Sequence, residues 1–118
     1  MKENNLLAEK SLDFGVRCVN CYKHLSSAKK EFVMSKQLYR SGTSIGANIH
    51  EALQAQSRAD FISKLSIALK EASETSYWLT LLVRTEYITP NIYDSLIADC
   101  DELSRLLTAI IKSARANL

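Results

Sequence analysis

At 118 residues, 47% of them apolar and with a net charge of +2, the chain is long enough to bury a core of its own and too short for a second domain. One proline and three glycines leave little turn chemistry for hairpins, whereas the abundance of Leu, Ala, Lys, Glu and Ser suits helices, so the fold class expected is all-α. No apolar run spans a bilayer, the first ten residues lack an export or transit pattern, and three cysteines are an odd number for a disulfide framework; a cytoplasmic protein with free thiols is expected.

A helical period divides the chain into four segments, expected at about 6–27, 31–56, 58–86 and 90–115. In the first, Ala8, Leu12, Gly15, Val16, Val19 and Tyr22 share one face, and Phe14, Cys18, Cys21 and Leu25 widen the apolar arc. The second places Met34, Leu38, Ser41, Gly42, Ile45, Ile49, Ala52 and Leu53 on one side. Ser57, with Asp60 three residues on, reads as an N-cap with an acid at the positive end of the third helix dipole. That helix aligns Phe61, Leu65, Ala68, Ala72, Leu79 and Val83. Thr89 and Pro90 mark the fourth start, as cap and first helical residue, and Ile92, Leu96, Cys100, Leu103, Leu107, Ile110 and Ala114 line that helix. Short connections force neighbouring helices to run antiparallel, so one up-down-up-down four-helix bundle over 1–118 follows.

Charge is uneven along the chain. Through Ala59 nine bases stand against five acids, and from Asp60 onward six bases stand against eight acids. Such asymmetry fits steering toward nucleic acid, and it also fits complementarity between packed helices or subunits.

Two stripes lie off the core faces. On the second helix Gln37, Arg40, Ser44, Asn48 and Glu51 recur at three- and four-residue steps, about 120° from the apolar face. On the third, Ile67, Glu71, Glu74, Trp78 and Leu81 form a stripe that mixes acids with large apolar groups. An aromatic anchor among charges is the composition of a subunit contact, which makes Ile67, Trp78 and Leu81 the candidate interface; the alternative is a broad core with Trp78 at its rim.

No arrangement of residues points to a metal or a cofactor, and Glu51, Glu71 and Glu74, the acids that could serve as acid and base, have several basic groups available to neutralise them, so no enzyme is expected. Neither His24 nor His50 has a Glu three positions earlier, as a di-iron bundle requires. Cys18 and Cys21 form a lone C-x-x-C with no second pair for zinc. Gly42 and Gly46 follow no strand, and their spacing suits close helix packing better than a phosphate cradle.

The run Gln37-Leu38-Tyr39-Arg40-Ser41-Gly42-Thr43-Ser44-Ile45-Gly46-Ala47-Asn48-Ile49-His50-Glu51-Ala52 resembles the signature segment of the bacterial four-helix-bundle family of 23S rRNA intervening-sequence proteins. Asp60 to Thr75, followed by Tyr77-Trp78-Leu79, is similar to that family's third helix. The resemblance implies a homopentameric ring of four-helix bundles, in a family many of whose members have no assigned biochemical role. A related bundle, the accessory variability protein of diversity-generating retroelements, works with a reverse transcriptase and RNA, so association with RNA or DNA is a further implication. The matched polar positions Arg40, Ser44, Asn48, Glu51, Lys70, Glu71 and Glu74, together with Gln37, are the candidate binding stripe; the competing role is an ion-pair lattice between helices or subunits. Two function classes follow: an oligomeric nucleic-acid accessory factor, and a scaffold whose partner is another protein.

Overall fold

The computed structural model describes residues 2–117, which form four helices: α1 (Lys2–Ser27), α2 (Met34–Leu53), α3 (Arg58–Arg84) and α4 (Pro90–Ala116). Each helix packs on its neighbours in the chain and α4 returns to α1, giving an antiparallel up-down-up-down bundle of 47 × 21 × 20 Å. The α1–α4 seam is the sparsest of the four. Two ion pairs span it, Lys10 with Glu102 at 3.2 Å and Arg17 with Asp99 at 2.7 Å, and Arg17 also donates to the hydroxyl of Ser95.

Helix ends follow the available capping groups. Ser57 accepts from the amide of Asp60 at 3.0 Å and Thr89 from the amide of Ile92 at 3.2 Å, with Pro90 in the first turn of α4. The second helix starts three residues later than its apolar period suggests. Lys30 adopts a left-handed φ of 54°, which stops the chain from running on as helix. The Glu31 carboxylate then accepts from the amides of Val33, Met34 and Ser35, at 3.1, 3.1 and 2.7 Å, doing from outside the helix what a Ser or Asp cap does. At the far end of α3, the amide of Tyr87 reaches back to the Leu82 carbonyl and that of Glu86 to Val83, with Glu86 at φ 65°. This Schellman closure ends the helix at Arg84, two residues short of the expected limit.

The core is formed by Leu7, Phe14, Cys18 and Leu25 of α1, Leu38, Ile45 and Ile49 of α2, Leu65, Leu79 and Leu82 of α3, and Leu96, Leu103, Leu107 and Ile111 of α4. On α1 this is not the face that the stronger apolar run suggests. Leu12 and Val16 are 58% and 54% exposed, while the Leu7-Ser11-Phe14-Cys18 side is buried. The reason lies in α2. Gly42 and Gly46 let α1 approach closely, and only small residues fit opposite them: Cys18 over Gly42, and the backbone and hydroxyl of Ser11 over Gly46. Ser11 tolerates burial because its hydroxyl donates to the Ala8 carbonyl at 2.9 Å.

Candidate binding surfaces

The helical register brings the two off-core stripes together on the α2–α3 face. Gln37, Ser44 and Asn48 are half-buried there, and Arg40 and Glu51 are exposed. Ser44 donates to the Arg40 carbonyl at 2.6 Å and the Asn48 amide donates to the Ser44 carbonyl at 2.8 Å, so both side chains are satisfied within α2. Glu51 pairs across the seam with Lys64 at 3.2 Å; Lys64 is absent from the sequence-derived stripe because its partner is set by register, not by spacing. An exposed pair of this kind stabilises by about 1 kcal/mol or less. Beneath this layer the hydroxyls of Thr75 and Ser41 are hydrogen bonded at 2.9 Å, a buried polar link between α2 and α3.

On α3, Glu71 and Glu74 are half-buried and Lys70 is exposed. Desolvation and the neighbouring Glu74 carboxylate push the Glu71 pKa above the ordinary carboxylate value, against the pull of Arg40 and Lys70. The Trp78 indole donates to Glu74 Oε1 at 3.4 Å, packs partly against the core and meets the ring of Tyr77 edge-on at 5.1 Å. Tyr77 is 57% exposed, Ile67 is exposed and Leu81 is half-buried. Trp78 therefore sits at the rim of the bundle core, with Tyr77 and Ile67 as the apolar groups that α3 presents outward.

A second surface lies between α1 and α2, where a groove of about 530 Å³ is lined by Leu12, Gly15, Val16 and Val19 on one side and Thr43, Ala47 and His50 on the other. Sequence reasoning placed its α1 residues in the core, since an apolar stripe on a helix carries the same signal whether a neighbouring helix or a neighbouring molecule covers it.

The three thiols offer little chemistry. Cys18 and Cys100 are buried and Cys21 half-buried, none is in a disulfide, and burial raises the pKa of each, that of Cys100 up to about 12. Among the described residues no group of three His, Cys, Asp or Glu side chains is placed to hold a metal, and no helix is long and apolar enough to cross a membrane.

No curated protein matches the chain. Among solved structures it is similar to a crystal structure from Bacteroides thetaiotaomicron, a protein of unknown function from the S23 ribosomal protein family. The two share 64% sequence identity over 93% of this chain and 98% of the other, with a TM-score of 0.92. The family model for the 23S rRNA-intervening sequence protein matches residues 3–109. With that match over most of its length and a relative of the same architecture at 64% identity, the chain belongs to the 23S rRNA-intervening sequence protein family.

Proposed function

We propose that the protein is a non-catalytic, homo-oligomeric bundle, five copies in a ring, that serves in the cytoplasm as an accessory factor for nucleic acid. The observation that carries this reading is the α1–α2 groove, whose Leu12 and Val16 stand more than half exposed in a single bundle. A contiguous apolar strip left in water is the usual mark of a covered surface. A closed ring needs two different surfaces that meet head to tail, and two candidates support the reading: the apolar α1–α2 groove, and the α2–α3 face with Ile67 and the edge of Trp78 among its charges. Against a catalytic role, Glu51 is paired with Lys64, and Glu71 and Glu74 stand outside the groove described above. The nucleic-acid part rests on the excess of bases before Ala59, which a ring would repeat around its circumference.

Light scattering on the intact protein and on a Leu12→Glu, Val16→Glu variant tests the assembly. The parent is expected at a multiple of 13.2 kDa and the variant at one chain with helicity retained, since both side chains are exposed. An unchanged mass in the variant would remove the groove from the contact. A single-chain mass in the parent would refute self-association and leave the groove to another polypeptide. Binding of RNA that does not weaken as salt rises would remove the electrostatic part of the reading.

A further inference from the structure

The base excess is not spread over the first half of the chain; it is concentrated at one end of the bundle. Between Tyr22 and Ser41 there are five bases, Lys23, Lys29, Lys30, Lys36 and Arg40, all exposed, and one acid, Glu31. That acid is only 7% exposed, with its carboxylate occupied by the first amides of α2. Among the described residues none of the five bases is in an ion pair, although Arg40 lies close enough to Glu71 to act on its charge. The α3–α4 turn at the same end adds Arg84, with Glu86 and Asp94 opposing it.

Aromatic surface is interleaved with these cations. Phe32, at the turn between α1 and α2, is 57% exposed although it sits beside the buried Glu31. One and a half helical turns into α2, Tyr39 is 40% exposed and its ring stacks on Tyr22 of α1 at 5.1 Å, with the planes 25° apart. The Glu31 cap and the bond from its own amide to the Leu25 carbonyl, 3.0 Å, hold the turn in place, so Phe32 is presented outward by an ordered backbone.

We propose that this α1–α2 end binds single-stranded RNA, a reading that rests on the nucleic-acid association proposed above and gives it a location. Lys29, Lys30, Lys36 and Lys23 would meet phosphates, while Phe32 and the stacked Tyr39–Tyr22 pair would take unpaired bases. A duplex buries its base faces against one another and offers only edges to a protruding ring, so the chemistry selects an unpaired strand. Unpaired bases are the form in which RNA is commonly recognised, whereas DNA is mostly paired. A lipid surface fits less well. The aromatic groups are not confined to the tip: Phe32 is in the turn, whereas the Tyr39–Tyr22 stack lies one and a half helical turns into α2.

The test is fluorescence anisotropy of labelled oligouridylate with the full-length protein, against the same oligomer annealed to oligoadenylate, from low to high salt. Tighter binding of the single strand than of the duplex is expected. Phe32→Ala and Phe32→Leu should each lower affinity about tenfold or more, the leucine failing because it keeps apolar bulk without a ring to stack. Lys29→Gln with Lys30→Gln should make the log–log salt dependence shallower by about 1.4, at roughly 0.7 per lost phosphate contact. All of these side chains are exposed, so circular dichroism should be unchanged. Binding by the parent that ignores all these substitutions would refute this location and leave the nucleic-acid reading standing. No binding even at low salt would refute both. A preference for duplex, or Phe32-dependent binding to phosphatidylserine vesicles in place of RNA, would overturn the proposal.

Discussion

Gly42 lies so close beneath Cys18 that a side chain there would run into the cysteine sulfur, and would stand 2.9 Å from its Cβ. The contact fixes both the spacing of α1 from α2 and the face of α1 that is buried. Gly42→Ala is expected to destabilise the bundle by about 1–2 kcal/mol, because overpacking outweighs the helix propensity that alanine brings. Adding Cys18→Ala should recover only part of the loss, since the Cβ conflict remains. Urea midpoints of the two single variants and the double variant measure the coupling.

The Glu31 carboxylate is the N-terminal cap of α2, and its replacement should cost more than a surface charge does. Burial opposes its ionisation, but the amides of Ser35, Met34 and Val33 outweigh burial and hold its pKa below the ordinary value. A depressed carboxylate contributes stability that is present above its unfolded pKa and lost as pH falls through the folded one. Glu31→Ala should lose about 1–2 kcal/mol at neutral pH, and the gap from the parent should narrow in acid below about pH 4. A gap independent of pH would mean that the charge does not matter to the cap.

Glu71 behaves in the opposite sense. Its raised pKa means that the folded state disfavours the ionised form, so the penalty develops as pH rises from the unfolded carboxylate value through the folded one. Glu71→Gln is expected to raise the urea midpoint at neutral pH, and this gain should shrink toward pH 4. A lower midpoint at neutral pH would show that attraction to Arg40 and Lys70 dominates.

Burial protects the thiols. With Cys18 and Cys100 inside the bundle and their pKa values raised, neither should react with a thiol reagent in the native state, and half-buried Cys21 should react slowly. All three should label once urea unfolds the chain. Fast native labelling of Cys18 or Cys100, read by mass spectrometry of the peptides, would show that the bundle opens around them.

The four helices were legible because each carries a run of apolar residues at helical spacing, and because Ser57, Thr89 and Pro90 mark two starts with groups whose capping role is local. Glu31 was not legible as a cap: its carboxylate reaches amides two to four residues ahead only once Lys30 turns left-handed, a backbone choice that composition does not reveal. The inward face of α1 was misread for a related reason. Leu12, Val16 and Val19 are more apolar than Ser11 and Cys18, and only the close approach at Gly42 and Gly46 rewards the smaller pair. For the surfaces, spacing alone joined Arg40 to Glu51 on one helix and Glu71 to Trp78 on the next. The pairing of Glu51 with Lys64 and the stacking of Tyr22 on Tyr39 depend on how the helices are offset along the bundle.

The sparse α1–α4 seam gives the first helix a particular standing. Helices α2, α3 and α4 form a trough held by two broad seams, and α1 closes it like a door hung mainly on the α2 side, latched to α4 by exposed ion pairs. Amide exchange should therefore release α1 and α4, the two helices that share this seam, before α2 and α3. The outer face of that door is the Leu12–Val16 stripe. A neighbouring copy seated on the stripe would bolt the door from outside, and resistance to unfolding would then rise with protein concentration.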